Sequence, residues 1–305
     1  MEKFFDKDFG KRQKFQLYTH PWLSVLAVYA AIILSIVIVG IIIFGFLGLP
    51  DDKVWVQFVQ GISYQLLTVF ILIPFMLRLP SGKRTFKQYL EDIGLNRFEP
   101  LLPLVMLGLT CYLLLAFSQV TGTVLFRIVE EVPITLEFIK KVLDLSQDLP
   151  PKSASLLVSV PSIFEELIFR GVLLTVFLKR YSSRKSIIFS SLAFGLIHTL
   201  NLFMAREPVW VFGQVVWAFL IGLFYGYAYI RTQSLLPSIV VHYFGNAFIG
   251  SITMYFQNRA SIEIQAIYGV LFFFGILPTT LMILWTKFFT SRWIPQVKES
   301  DSSSG

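Results

Sequence analysis

Eight apolar runs dominate the sequence, at roughly 22–47, 56–77, 101–125, 154–178, 187–203, 209–229, 235–255 and 264–288. Most are long enough to cross a bilayer as a helix. Hydrocarbon offers no water to backbone N–H and C=O groups, so a spanning segment must satisfy them internally, and helices do this. The expected fold is an all-α polytopic membrane protein of about eight transmembrane helices, with any site buried inside the bundle. Composition agrees: 55% of residues are hydrophobic, 15% are charged and mean hydropathy is +0.68, outside the range of ordinary soluble domains.

The net charge of +7 would suggest a nucleic-acid partner in a soluble protein. Here the excess sorts by side instead. With the N-terminus placed in the cytoplasm, 18 Lys and Arg residues fall on that side of the predicted spans and seven on the other. The positive-inside rule then puts both termini in the cytoplasm, with no nucleic-acid partner, in the cell membrane of a prokaryote or the endoplasmic reticulum of a eukaryote. The first run is too long for the core of a signal peptide and reads as a retained span. Two connections are long enough to carry structure: 79–100, with an amphipathic interfacial stretch at 86–95, and 128–152, with a short helical pattern at 136–145. The single cysteine, Cys111, excludes an intrachain disulfide and a cysteine-based metal cluster.

Against this background, Glu165, Glu166 and Arg170 stand out inside an apolar run, where ionisable groups are costly and functional by default. On a helix, Glu166 and Arg170 form an i,i+4 pair in the favoured orientation. Glu165 is rotated about 100° from Glu166. It is left without a partner in its own helix and should face something on another.

Two of the three histidines, His198 and His242, also lie within predicted spans. Counted from the basic ends of their runs, Glu165, His198 and His242 all lie roughly 16–21 Å along the helix, so they can meet at one level. Asn201 stands at i+3 of His198 and Asn246 at i+4 of His242. A buried carboxylate beside an imidazole can orient and deprotonate a water, and His and Asn donors can stabilise an oxyanion. Glu165, His198 and His242 could alternatively hold one zinc ion with a position open to water. Neither a His-Glu-x-x-His helix nor a Gly-x-Ser-x-Gly elbow is present.

The motifs Glu165-Glu-Leu-Ile-Phe-Arg170, Phe194-Gly-Leu-Ile-His198 and His242-Tyr-Phe-Gly-Asn246 resemble, in order, those of the CAAX-protease and bacteriocin-processing (CPBP, or Abi) family. The resemblance implies an intramembrane endopeptidase, similar to the type II CAAX prenyl endopeptidases that remove the last three residues of prenylated proteins. It implies that Glu165 and His198 activate the water, that His242 and Asn246 form the oxyanion site, and that Glu166 and Arg170 support them. The implied partners are a membrane-anchored, prenylated peptide and the lipid bilayer. The chain divides accordingly into a cytoplasmic segment (1–21), N-terminal helices with their loops (22–153), a CPBP-like catalytic core (154–256), a last helix (257–288) and a tail (289–305).

Other readings exist for the same residues. The Glu–Glu–Arg cluster could be a structural ion pair, or Glu165 and the histidines a proton relay in a transporter, or the whole a bacteriocin-immunity scaffold. A transporter would favour matching halves with broken helices, and none is visible. The glycines and aromatics of 219–228 read as close helix packing without chemistry, and His20 as an interfacial residue.

Overall fold

The computed structural model describes residues 20–50, 53–77, 85–129, 156–157, 159–204, 208–249 and 271–294. The helical pattern at 136–145 and both chain termini lie outside the described residues. Among the described residues every regular element is helical. Helix α1 is Pro21–Gly40, running on as a π stretch, Ile41–Phe46. Helix α2 is Val54–Leu67, continued by the π stretch Thr68–Leu72 and the turn Ile73–Met76. A short helix, α3, covers Phe86–Asp92, and α4 covers Leu101–Val129. Helix α5 starts as Pro161–Glu166 and continues through the π stretch Leu167–Leu174 to Thr175–Leu178. Then come α6, Ser183–Ile197, with a 3₁₀ tail His198–Met204, and α7, Pro208–Thr232. Helix α8 is Leu236–Phe244, widening to π over Gly245–Ile249, and α9 is Leu277–Trp293, preceded by the π stretch Leu271–Ile276.

Two of the π stretches have a local cause. Pro74 and Pro278 lack an N–H, so each leaves carbonyls of the preceding turn without their helical donor. The backbone widens just before each, at Thr68–Leu72 and Leu271–Ile276. Side chains from elsewhere in the bundle occupy carbonyls in these turns: the Tyr89 hydroxyl donates to the Val69 carbonyl (2.7 Å) and the Trp217 indole N–H to that of Phe274 (2.9 Å). Helix interruption is tolerated in lipid when neighbours re-satisfy the backbone in this way.

Among the described residues, six helices are long and apolar enough to cross a membrane, where the sequence leads one to expect about eight. The two runs that fall short are instructive. Helix α5 carries Glu165, Glu166 and Arg170, and the seventh run is described only as far as 249. Both are runs that hold the candidate site.

The order of contacts explains why α5 tolerates its charges. Helix α7 lies along α6 and α9, α4 lies against α8 and α9, and α1 against α2; α5 touches α1, α2, α6, α7 and α8. All eight residues of Leu167–Leu174 are buried. Large apolar side chains such as Leu26, Phe75, Phe117 and Phe212 are exposed on the outer helices, where lipid would cover them. The segment 85–95 also packs onto α5. Helix α3 opens with a reciprocal cap, Gln88 N–H to Thr85 Oγ1 (3.3 Å) and Thr85 N–H to Gln88 Oε1 (2.9 Å). It ends at Ile93, whose carbonyl lies where a Cβ on Gly171 would stand, 2.7 Å away.

Candidate active site

Glu165 and Glu166 are the last two positions before α5 turns from α to π, and the adjacent carboxylates have different surroundings. Glu166 is 0% exposed; its Oε1 accepts from Arg170 Nη1 at 2.9 Å and from His242 Nδ1 at 2.8 Å. Glu165 keeps 28% of its side-chain exposure, and its Oε2 lies 3.6 Å from His242 Nε2. That distance exceeds a direct hydrogen bond. His242, 4% exposed, therefore stands between the two carboxylates with one ring nitrogen toward each.

Arg170 explains how an ionised Glu166 survives full burial. Its guanidinium bonds Glu166, donates from Nη2 to the Gly222 carbonyl (3.3 Å), and lies over the rings of Phe194 (4.4 Å) and Tyr225 (4.9 Å). The weakly hydrated, planar guanidinium suits such a slot, where a lysine ammonium would not stack. Gly222 is required by the closeness of the approach. A Cβ there would meet Arg170 Nη2 and Ser191 Cβ, each at 3.1 Å. Among the described residues, Glu166 Oε2 and Arg170 Nε find no hydrogen-bond partner.

His198 caps the end of α6, at the change to 3₁₀ geometry. Its Nδ1 donates to the Phe194 carbonyl (2.9 Å), which assigns the proton to Nδ1 and leaves Nε2 as an acceptor. The ring lies edge-on to Phe194. His198, His242 and Glu165 are close enough to act on one another electrostatically. Phe194 thus joins the cluster: its ring contacts Arg170, His198 and His242.

The structure brings Glu165, Glu166, Arg170, His198 and His242 together. Asn201 is held elsewhere, donating to Gln214 Oε1 at 2.6 Å across to α7. Asn246 lies past the change from α to π in the α8 segment and is exposed, so its relation to His242 is not that of a regular i,i+4 pair.

One site neighbour escapes the sequence reading. Tyr225 stacks on His242 with ring centroids 5.2 Å apart and planes at 22°. The stretch 219–228 does supply close packing, since Gly226 meets Ile187. It also builds one wall of the site through Gly222 and Tyr225. The signal was present as their spacing of three residues on a helix face, but such spacing is equally that of any packed helix.

Glu165, His198 and His242 do not close into a metal site. No group of three or more His, Cys, Asp or Glu side chains among the described residues is arranged to hold an ion. His198 Nδ1 and His242 Nδ1 are both taken by protein acceptors, which leaves each ring its Nε2 for any further contact.

No curated protein and no solved structure matches the chain. A family model described as type II CAAX prenyl endopeptidase Rce1-like matches residues 150–248. The matched segment runs from just before α5 into the π stretch after α8, and so holds all three motifs and every residue of the cluster. Residues 150–248 are thus similar to a type II CAAX prenyl endopeptidase Rce1-like domain, in line with the resemblance that the three motifs carry.

Proposed function

We propose that the protein is an intramembrane endopeptidase in which Glu165 activates a water against a peptide bond near the C-terminus of a lipid-anchored, prenylated substrate. The observation that carries this reading is the division of labour between adjacent carboxylates. Glu166 is fully buried and committed to Arg170 and His242, whereas Glu165 is accessible and faces His242 across 3.6 Å.

The hydrogen bonding supports a specific sequence of events. Glu165 takes one proton from the water as its oxygen attacks the scissile carbonyl carbon, and the Nε2 lone pair of His198 orients the water through its other proton. His242, in its doubly protonated form between the two carboxylates, donates Nδ1–H to Glu166 and offers Nε2–H to the oxygen that becomes negative; Asn246 adds a second donor when substrate is bound. The proton held by Glu165 passes to the leaving amine as the C–N bond breaks. Atoms and charge balance without a further reactant.

Depth favours a substrate that is already in the membrane. Glu165 lies four residues after Pro161 and 14 before Lys179, so it is about 20 Å along the helix from the basic connection. In a CAAX peptide the lipid is carried by the residue next to the scissile bond, so a lipid lying in the bilayer brings that bond to this depth. The test is Glu165→Gln. It should keep the fold and abolish cleavage of a farnesylated CAAX peptide; near-normal turnover would remove Glu165 as the base.

A further inference from the structure

Helix α2 carries Gln57, Gln60, Gly61, Tyr64, Gln65 and Thr68, spacings of three and one that place them on one helix face. Polar side chains on a spanning helix are expensive and call for partners. At the inner end Thr68 has them: Thr68 Oγ1 donates to the Tyr64 carbonyl (2.7 Å) and shares a 2.6 Å bond with Ser35, while Gln65 Oε1 has none among the described residues. The other end borders a cleft of about 270 Å³, lined by Gln57, Gln60, Gly61 and Tyr64 together with Ile36, Phe58 and Pro161.

That cleft adjoins the site. Pro161 is the first residue of α5, four before Glu165, and a Cβ on Gly61 would meet Pro161 Cγ at 3.3 Å, so α2 and α5 approach closely there. The Tyr64 hydroxyl accepts from Gln65 Nε2 at 3.3 Å, which leaves its own proton to donate, and it lies within electrostatic reach of Glu165. Carboxamides present a donor and an acceptor together, as a peptide group does. From Gln57 to Tyr64 the helix rises about 10 Å, the length of about three residues of extended chain. A purely aliphatic ligand would leave the Gln60 carboxamide and the Tyr64 hydroxyl unmatched, and an anion would leave the Gln60 carbonyl without a donor.

We propose that this face of α2 is the wall that binds the substrate backbone, with Gln60 and Tyr64 hydrogen-bonding about three residues of extended peptide beside the bond that the Glu165-activated water attacks. The proposal rests on the hydrolytic reading of Glu165. Of its residues only Pro161 lies inside the matched segment 150–248, so the family match does not assign this face.

The full chain in liposomes, with a farnesylated CAAX peptide as probe, provides the test. Gln60→Ala should raise KM about threefold to tenfold, the worth of one hydrogen bond, with kcat within about twofold. Tyr64→Phe should do likewise at unchanged melting temperature, whereas a merely structural role would lower stability and leave KM alone. A second arm uses the same peptide with a benzophenone at its last residue and a non-hydrolysable scissile bond, and maps cross-links by mass spectrometry. Cross-links within 57–64 support the wall. Turnover with unchanged KM in both variants, or cross-links confined to other helices, overturns it and leaves the protease reading intact. A wild-type protein that cross-links at 57–64 but cleaves nothing removes the protease reading and keeps the binding face; one that does neither overturns both.

Discussion

Arg170→Ala tests the electrostatic core most sharply, because the structure fixes what the substitution removes. Arg170 is 0% exposed, bonds Glu166 at 2.9 Å and Gly222 O at 3.3 Å, and lies over Phe194 and Tyr225. An average side-chain hydrogen bond between membrane helices contributes only about 0.6 kcal/mol, so the lost bonds alone would be a small effect. The larger effect is the carboxylate left behind. Removing one partner of a buried ion pair typically costs about 3–5 kcal/mol, since the remaining charge stays buried and uncompensated. Glu166→Gln removes that charge while keeping an oxygen acceptor for His242. The double variant Arg170→Ala, Glu166→Gln should therefore lose less than the two single losses added, with a coupling of about 1–3 kcal/mol. Unfolding in mixed detergent micelles, followed by far-UV circular dichroism, gives the four stabilities of the cycle. Additive losses, or an Arg170→Ala loss below about 1 kcal/mol, would show that Glu166 is not an ionised partner and would refute the reasoning.

Other outcomes follow from the same geometry. Glu165→Gln should lower kcat by about 10²- to 10⁴-fold with little change in melting temperature, while Glu166→Gln should lose mainly stability; steady-state kinetics beside thermal melts separate the two. Gly171→Ala and Gly195→Ala should each destabilise by about 1–3 kcal/mol, because the new Cβ would lie 2.7 Å from the backbone carbonyls of Ile93 and Val215 respectively. Gly40→Ala, with nothing within 4 Å, should be neutral or stabilising in the same melt. Activity should survive a strong chelator with zinc far below stoichiometric by elemental analysis, whereas loss on chelation with recovery on added zinc would demand a metal. Reporter fusions should place both termini on the cytoplasmic side, and termini on opposite sides would break the depth argument.

The long apolar runs were legible because a spanning helix leaves a pattern that little else imitates, and the Glu166–Arg170 pair because i,i+4 contact is a property of the helix itself. The shared depth of His242 and Glu165 was legible, but the contact of His242 with Glu166 as well could not be read. It depends on how α8 crosses α5, which sequence spacing does not encode. The same holds for Tyr225: a tyrosine three residues from a glycine on an apolar helix gives no sign that one will stack on a histidine and the other accept from an arginine. Asn246 shows the converse limit. Its i+4 spacing from His242 predicts a shared face only if the helix stays α, and the segment widens at Gly245. The polar stripe of α2 escapes the sequence reading, because its glutamines and tyrosine are scattered through an apolar run and nothing there indicates that it ends beside Pro161.

The most direct measurement is product analysis by mass spectrometry after incubating the purified full chain, and in parallel its Glu165→Gln variant, with a farnesylated CAAX peptide in liposomes. The account predicts release of a C-terminal tripeptide by the wild type and none by the variant at equal folded protein. Cleavage by Glu165→Gln at the wild-type rate, or an intact peptide in both, would contradict it.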